Sequence, residues 1–192
     1  MFYWFKTLQY HLWKHHKTHD KIKVLEIGVY HADNTRKLLE TYPKMQLTSI
    51  DPAGHENISQ LLEEYPTRFN YVQYYSIPFL ENNENEFDVV LIDGDHNRYT
   101  VYNELRLIFE RFEKFPLIIL HDTNHPWGRQ DYSYQPSTIP MGELGGIRQG
   151  VLTGVEDFIH DFTDEEMLRY FRLTLYQMGP GLGVLELLNG GF

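Results

Sequence analysis

The chain has 192 residues, room for one domain around a single buried core. Its hydrophobic content of 42% is ordinary, whereas the 15% aromatic share is high and comes mostly from Tyr and Phe, which build cores or line pockets for flat or sugar-like ligands. The absence of cysteine excludes disulfides, thiolate metal sites and cysteine nucleophiles, and a formal net charge of -10 supplies no basic face for a nucleic-acid backbone.

Phe2, Phe5, Leu8 and Leu12 recur at near-helical spacing, so residues 2–16 read as an amphipathic helix within an aromatic appendage over residues 1–20. Such a helix packs on its own domain, covers a cofactor, or joins two copies in a homo-oligomer. His11, His15, His16 and His19 lie at its end; with no carboxylate placed to complete a metal set, they read as a solvated polar terminus. Lys6, Gln9 and His11 interrupt the segment and no small-residue cleavage site follows. No apolar run approaches the roughly 20 residues a bilayer span requires. A cytoplasmic protein without membrane insertion is expected.

From Lys21 the pattern alternates between strands and helices. Strands are expected over 22–28, 46–51, 70–75, 87–93 and 116–120, with helices over 34–42, 57–65 and 99–112. Residues 81–86, acidic and rich in Asn, read as a surface loop. The strand at 87–93 is continuously apolar, as a central parallel strand covered on both faces must be. In the helix at 99–112, Val101, Leu105, Ile108 and Phe112 mark the buried stripe. Residues 123–150 break the rhythm with Pro126, Pro136, Pro140 and several glycines, and read as a long structureless loop of the kind that closes over a ligand. A helix follows at 151–161. Two strands at 172–178 and 182–188 are joined by Gly179-Pro180-Gly181, a tight turn that makes the pair antiparallel. The expected fold is a single α/β domain with a doubly wound sheet and right-handed crossovers.

Ligands of such sheets bind beyond the carboxyl ends of the strands. Four strands end in polar residues that would converge there: Glu26-Ile27-Gly28, Asp51, Asp93 and His121-Asp122. Gly28 lets the backbone pass close to a ligand, although Tyr30, His31 and Ala32 stand where a dinucleotide fingerprint carries further glycines. Asp51 either accepts two ribose hydroxyls or starts a turn before Pro52. Asp93 and Asp122, on neighbouring strands, can hold a hard cation such as Mg²⁺. His121 is a possible third ligand better suited to a softer metal. His96, three residues after Asp93 and with an ordinary pKa near neutrality, suits a general base. Asp95 reads as the cap of the helix that begins near Asn97.

These motifs resemble, in order and spacing, those of class I S-adenosylmethionine-dependent methyltransferases, and most closely the small enzymes that modify sugars, glycans and macrolides. The resemblance runs from about residue 20 to 188 and rests on Val24-Leu25-Glu26-Ile27-Gly28, Ile50-Asp51, Leu91-Ile92-Asp93-Gly94-Asp95-His96 and Ile119-Leu120-His121-Asp122-Thr123. Two further segments resemble a narrower subgroup, namely residues 127–132 and 150–158. It implies a Rossmann-like, mostly parallel sheet of seven strands closed by the C-terminal antiparallel hairpin. It also implies a cofactor held at Glu26, Gly28, Asp51 and Asp93 with its adenine near Ser76. A divalent metal on Asp93, His121 and Asp122 and a base at His96 follow by position, with His121 standing where relatives carry a carboxylate. Trp127, Arg129, Tyr132 and Tyr134 would then close over a small acceptor such as a sugar or glycan, or a catechol-like ring. The competing expectations are an NAD-dependent oxidoreductase, which the missing glycines disfavour, and a cofactor-binding protein without catalysis.

Overall fold

The computed structural model describes residues 3–16, 21–134, 138–139, 149–164 and 169–189. Parallel strands β1 (Lys23–Ile27), β2 (Gln46–Ile50), β3 (Phe69–Val72), β4 (Val89–Ile92) and β5 (Leu117–His121) alternate with helices α2 (Asp33–Thr41), α3 (Glu56–Glu64), α4 (Ser76–Asn82) and α5 (Arg98–Arg111). Helix α1 (Tyr3–His16) precedes them; α6 (Val151–Phe162), β6 (Arg169–Tyr176) and β7 (Leu182–Asn189) follow. The sheet has seven strands in the order β3-β2-β1-β4-β5-β7-β6, with β7 antiparallel to both neighbours. This is the expected doubly wound sheet with its C-terminal hairpin. The order reverses between β1 and β4, where a crevice opens at the carboxyl ends of the parallel strands.

Period-two alternation sends neighbouring side chains to opposite faces, and two cores result. One joins Val24, Leu47, Val89, Leu91 and Ile119 to Leu8, Leu12, Leu38 and Ile58 on α1, α2 and α3. The other joins Leu25, Ile27, Val90, Ile92 and Leu120 to Leu80, Leu105, Val155 and Phe158 on α4, α5 and α6. Helix α1 packs on its own domain: Leu8 and Leu12 are buried, Tyr42 donates its hydroxyl to the Gln9 carbonyl at 2.9 Å, and His11 Nε2 meets the Tyr176 hydroxyl at 2.8 Å. Tyr10 and Trp13 remain exposed. His19 and the side chains of His15 and His16 lie outside the described residues. Among the described residues no helix is long and apolar enough to cross a membrane.

Three expectations need correction. Helix α4 was not anticipated, because it is seven residues long and carries Pro78, which a first helical turn accommodates. The cap of α5 is Asn97, whose side chain accepts from Thr100 N at 2.8 Å, so Asp95 is freed for another use. The segment after β5 is not structureless over residues 123–134. Tyr132 N donates to His96 O at 2.7 Å, Gly128 N to Asn124 O at 2.7 Å, and Arg98 N to Asp131 Oδ1 at 2.8 Å. Pro136, Pro140 and most of the rest of that expected loop lie outside the described residues.

Candidate active site

A cavity of ≈ 560 Å³ opens at the ends of β1, β2, β4 and β5, and its lining includes Gly28, Asp51, Ser76, Asp93, His96, His121 and Asp122. The polar strand ends therefore converge as the sequence predicts. Burial of the strands' apolar runs drives the polar residues to their carboxyl tips, where backbone groups and solvent meet them.

The first wall is the loop after β1. Gly28 has φ +90°, and a Cβ there would lie 2.1 Å from the Asp93 carbonyl oxygen, so only glycine allows this approach. Tyr30 (φ 49°) and Ala32 (φ 64°) are also left-handed. The loop thus keeps the backbone form that glycines at these alternate positions would favour, at a cost of about 1–2 kcal/mol per residue. Asp51 forms the foreseen turn and also lines the cavity. Oδ1 accepts from Ala53 N at 2.8 Å to form the turn, while Oδ2 accepts from Val29 N at 2.8 Å and faces the cavity with its residue.

Glu26 departs from expectation. It is not in the lining of this cavity; its carboxylate is buried behind β1, where Oε2 accepts from Thr35 Oγ1 at 2.8 Å and Ser49 Oγ at 2.6 Å. Burial raises its pKa from 4.5 to about 7 against the pull of these two hydroxyls. Its position ties β1 to α2 and β2, which is a structural task.

The floor is a knot of two carboxylates and two imidazoles. His121 Nδ1 lies 2.9 Å from Asp93 Oδ1 and 3.0 Å from Asp122 Oδ2, and His96 Nε2 lies 2.9 Å from that same Asp122 oxygen and 3.9 Å from Asp93 Oδ1. Carboxylates only accept, so both ring nitrogens carry protons. Burial favours neutral rings, but the carboxylates win and push His96 up to about 9 and His121 up to about 10. Burial likewise opposes the charge on Asp93 and Asp122, and the imidazoles still hold both below the usual carboxylate range. The near-neutral value expected for His96 is thus replaced by a higher one. Asp122 is also left-handed, with φ 57°, a strained form that is stored where a site over-determines it.

Ligand atoms of Asp93, His96 and Asp122 lie within 4.8 Å of one another. His96 thus stands in the third place that the sequence offered to His121, whose Nδ1 is paired with Asp93 and Asp122. Two carboxylates with imidazole nitrogen fit a divalent ion of borderline softness better than Mg²⁺, which prefers oxygen alone.

Residues 127–134 pack over the His96 side of the cavity. Tyr134 lines the cavity with its ring centroid 5.7 Å from that of His96, and Trp127 stands edge-on to His96 at 6.2 Å. Tyr132 is half exposed, pairs through its backbone with His96, and packs on Tyr134 at 4.9 Å. Asp95 anchors this segment by accepting from Tyr134 N at 2.9 Å and Ser133 Oγ at 3.2 Å. Arg129 turns away: its guanidinium is paired with Glu156 on α6. Sequence reasoning missed Glu104, which lines the cavity from α5 beside Thr100.

The sheet order and the crevice at its switch point define a Rossmann-like α/β domain with a ligand site at the strand ends. A family model for the methyltransferase domain matches residues 25–123, just over half of the chain, and the chain belongs to that family. It is also 25% identical over 133 residues to the uncharacterized protein R132 of Acanthamoeba polyphaga mimivirus, a match covering 63% of this chain and 58% of that one. The chain thus spans less than two thirds of that relative's length. The fold is similar to the N-methyltransferase NodS of Bradyrhizobium japonicum WM9, solved with S-adenosylhomocysteine. The TM-score is 0.58 at 12% identity, covering 97% of this chain and 87% of that one. It is similar too to the methyltransferase PaMTH1 of Podospora anserina, with a TM-score of 0.56 at 14% identity over 89% and 74% of the two chains. The family assignment leaves the nicotinamide-dependent reading without support.

Proposed function

We propose that the chain transfers the methyl group of S-adenosylmethionine to a hydroxyl of a small, uncharged, polyhydroxylated acceptor such as a sugar. The observation that carries this is the Asp93–His96–Asp122 cluster at the carboxyl end of a methyltransferase-family sheet, in one cavity with Gly28 and Asp51. Binding of S-adenosylhomocysteine by fold relatives supports the choice of cofactor. Asp51 suits the ribose hydroxyls, and Gly28 admits the sulfonium end close to the backbone. The cavity carries the carboxylates of Asp51, Asp93, Asp95 and Asp122 against the imidazoliums of His96 and His121, a surplus of acids that repels an anionic acceptor and suits a neutral one.

The sulfonium methyl is already electrophilic, so the protein's main task is alignment. The acceptor oxygen forms a bond to the methyl carbon as the carbon–sulfur bond breaks, and the hydroxyl proton passes to the neutral form of His96 at Nδ1, because Nε2 already donates its own proton to Asp122. Asp122 holds that ring in place, and Tyr134 with Trp127 supplies aromatic faces that exclude water. A divalent cation held by Asp93 and Asp122 with an imidazole would supply positive charge that acidifies the hydroxyl. A second reading is favoured by the 2.9 Å His96–Asp122 contact: a base dyad that works without metal, His121 balancing the charge of Asp93.

The test is calorimetric titration with S-adenosylhomocysteine against NAD(H), followed by mass spectrometry of sugar and phenol acceptors with S-adenosylmethionine. Micromolar binding of the first ligand and a product 14 mass units heavier, on the order of one methylene, support the proposal. Binding without any product points to a non-catalytic binding protein. Asp122→Asn should cost roughly a thousandfold in turnover. Activity that survives chelation favours the dyad over the metal.

A further inference from the structure

Helix α5 presents Thr100 and Glu104, one turn apart, to the cavity. Glu104 is 1% exposed, and neither of its carboxylate oxygens meets a hydrogen-bond partner among the described residues. The Ser76 hydroxyl attracts the ion without completing a bond of hydrogen-bond geometry. A buried carboxyl left in this state costs a fold dearly, so its persistence on a cavity wall points to a ligand that completes it.

The rest of the cavity narrows what that ligand group is. The reacting end belongs to Asp93, His96 and Asp122, and the sugar hydroxyls belong to Asp51. The lining that remains includes Tyr75, Ser76, Thr100 and Glu104, and this is the part offered to the base. A protonated carboxyl offers an O–H donor and a C=O acceptor side by side. Adenine offers the complementary pair on its outer edge, an N6 donor next to the N1 acceptor.

We propose that Glu104 reads this edge of the cofactor's adenine in a two-point contact and so selects a 6-aminopurine over other bases. The proposal rests on the cofactor reading above. Burial, with a smaller contribution from Asp95, pushes the carboxyl up to about 8, which keeps the donor in place at neutral pH. The site stabilises the ligand at the expense of the empty protein.

The experiment is calorimetry on the full chain with S-adenosylhomocysteine and with its analogue bearing hydrogen in place of the 6-amino group. Wild type, Glu104→Met and Glu104→Gln are compared. In the wild type, loss of the amino group should weaken binding about tenfold. Glu104→Met should show less than a roughly threefold difference, and its ligand-free form should melt at a higher temperature than the wild type. Glu104→Gln keeps a donor and an acceptor and should restore the discrimination. An equal ratio in the wild type and Glu104→Met overturns the proposal, whatever the absolute affinities. If the wild type binds neither nucleoside, the cofactor reading falls first and this proposal with it.

Discussion

The two faces of the sheet each bury a glutamate, and they treat it differently. On the face covered by α1, α2 and α3, Glu26 is enclosed by the hydroxyls of Thr35 and Ser49. On the face covered by α4, α5 and α6, Glu104 sits at the cavity wall with no directed partner. Both carboxyls are pushed up by the same cause, loss of water. What separates them is completeness of the local hydrogen bonding. A satisfied buried acid is part of the scaffold, whereas an unsatisfied one facing a cavity is part of a site awaiting its ligand.

The most severe way to break this comparison is Glu26→Ala. It strands two buried hydroxyls and opens a hole, so the urea midpoint should fall by an amount equal to about 3 kcal/mol. A loss below about 1 kcal/mol would mean that Glu26 is not the scaffold acid.

A pH series sharpens the contrast. Between pH 4.5 and 8 the folded chain retains a proton on Glu104 that the unfolded chain has released. The native state therefore binds more protons over that window, and stability falls as pH rises through it. Glu26 acts in the same direction between 4.5 and about 7. Thermal melts of Glu104→Met should show a shallower decline than the wild type up to pH 8; parallel curves would contradict the assignment.

Smaller effects lie in the loop walls. Ala32→Gly relieves a left-handed alanine and should raise stability by about 1 kcal/mol in the same urea titration, with cofactor affinity retained. Smallest is Arg129→Ala. Its partly exposed pair with Glu156 is worth at most about 1 kcal/mol, and the acceptor KM should not move. A KM increase above about threefold would return Arg129 to the acceptor side, where the sequence had placed it.

The contrast also explains what was legible in the sequence. Apolar runs ending in polar residues announce strand tips, so Gly28, Asp51, Asp93, His96 and Asp122 were found by their positions alone. Glu26 shares that signature but points into a core, because its partners Thr35 and Ser49 are on other elements and carry no local mark. Glu104 was hidden beside the stripe of Val101, Leu105 and Ile108, since spacing cannot tell which flank of a helix borders a cavity. The segment 123–134 looked unstructured because its order comes from distant groups: Asp95, the Arg98 amide and the Pro180 carbonyl. The left-handed loop at Tyr30 and Ala32 was read as lacking its glycines, yet the backbone adopts their conformation without them.

The C-terminal hairpin has a consequence for the timing of synthesis. Strand β7 inserts between β5 and β6, and its entry turn grips the root of the segment 124–134: Asn124 N donates to Pro180 O at 2.9 Å and Asn124 Nδ2 to Gly179 O at 3.1 Å. Strands β1 to β4 are complete by residue 92. The segment that carries Trp127 and Tyr134 gains these two anchors only once the turn at residues 179–181 has left the ribosome. Synthesis therefore completes one flank of the cavity well before the other is tied down, and the last turn of the sheet is what ties it.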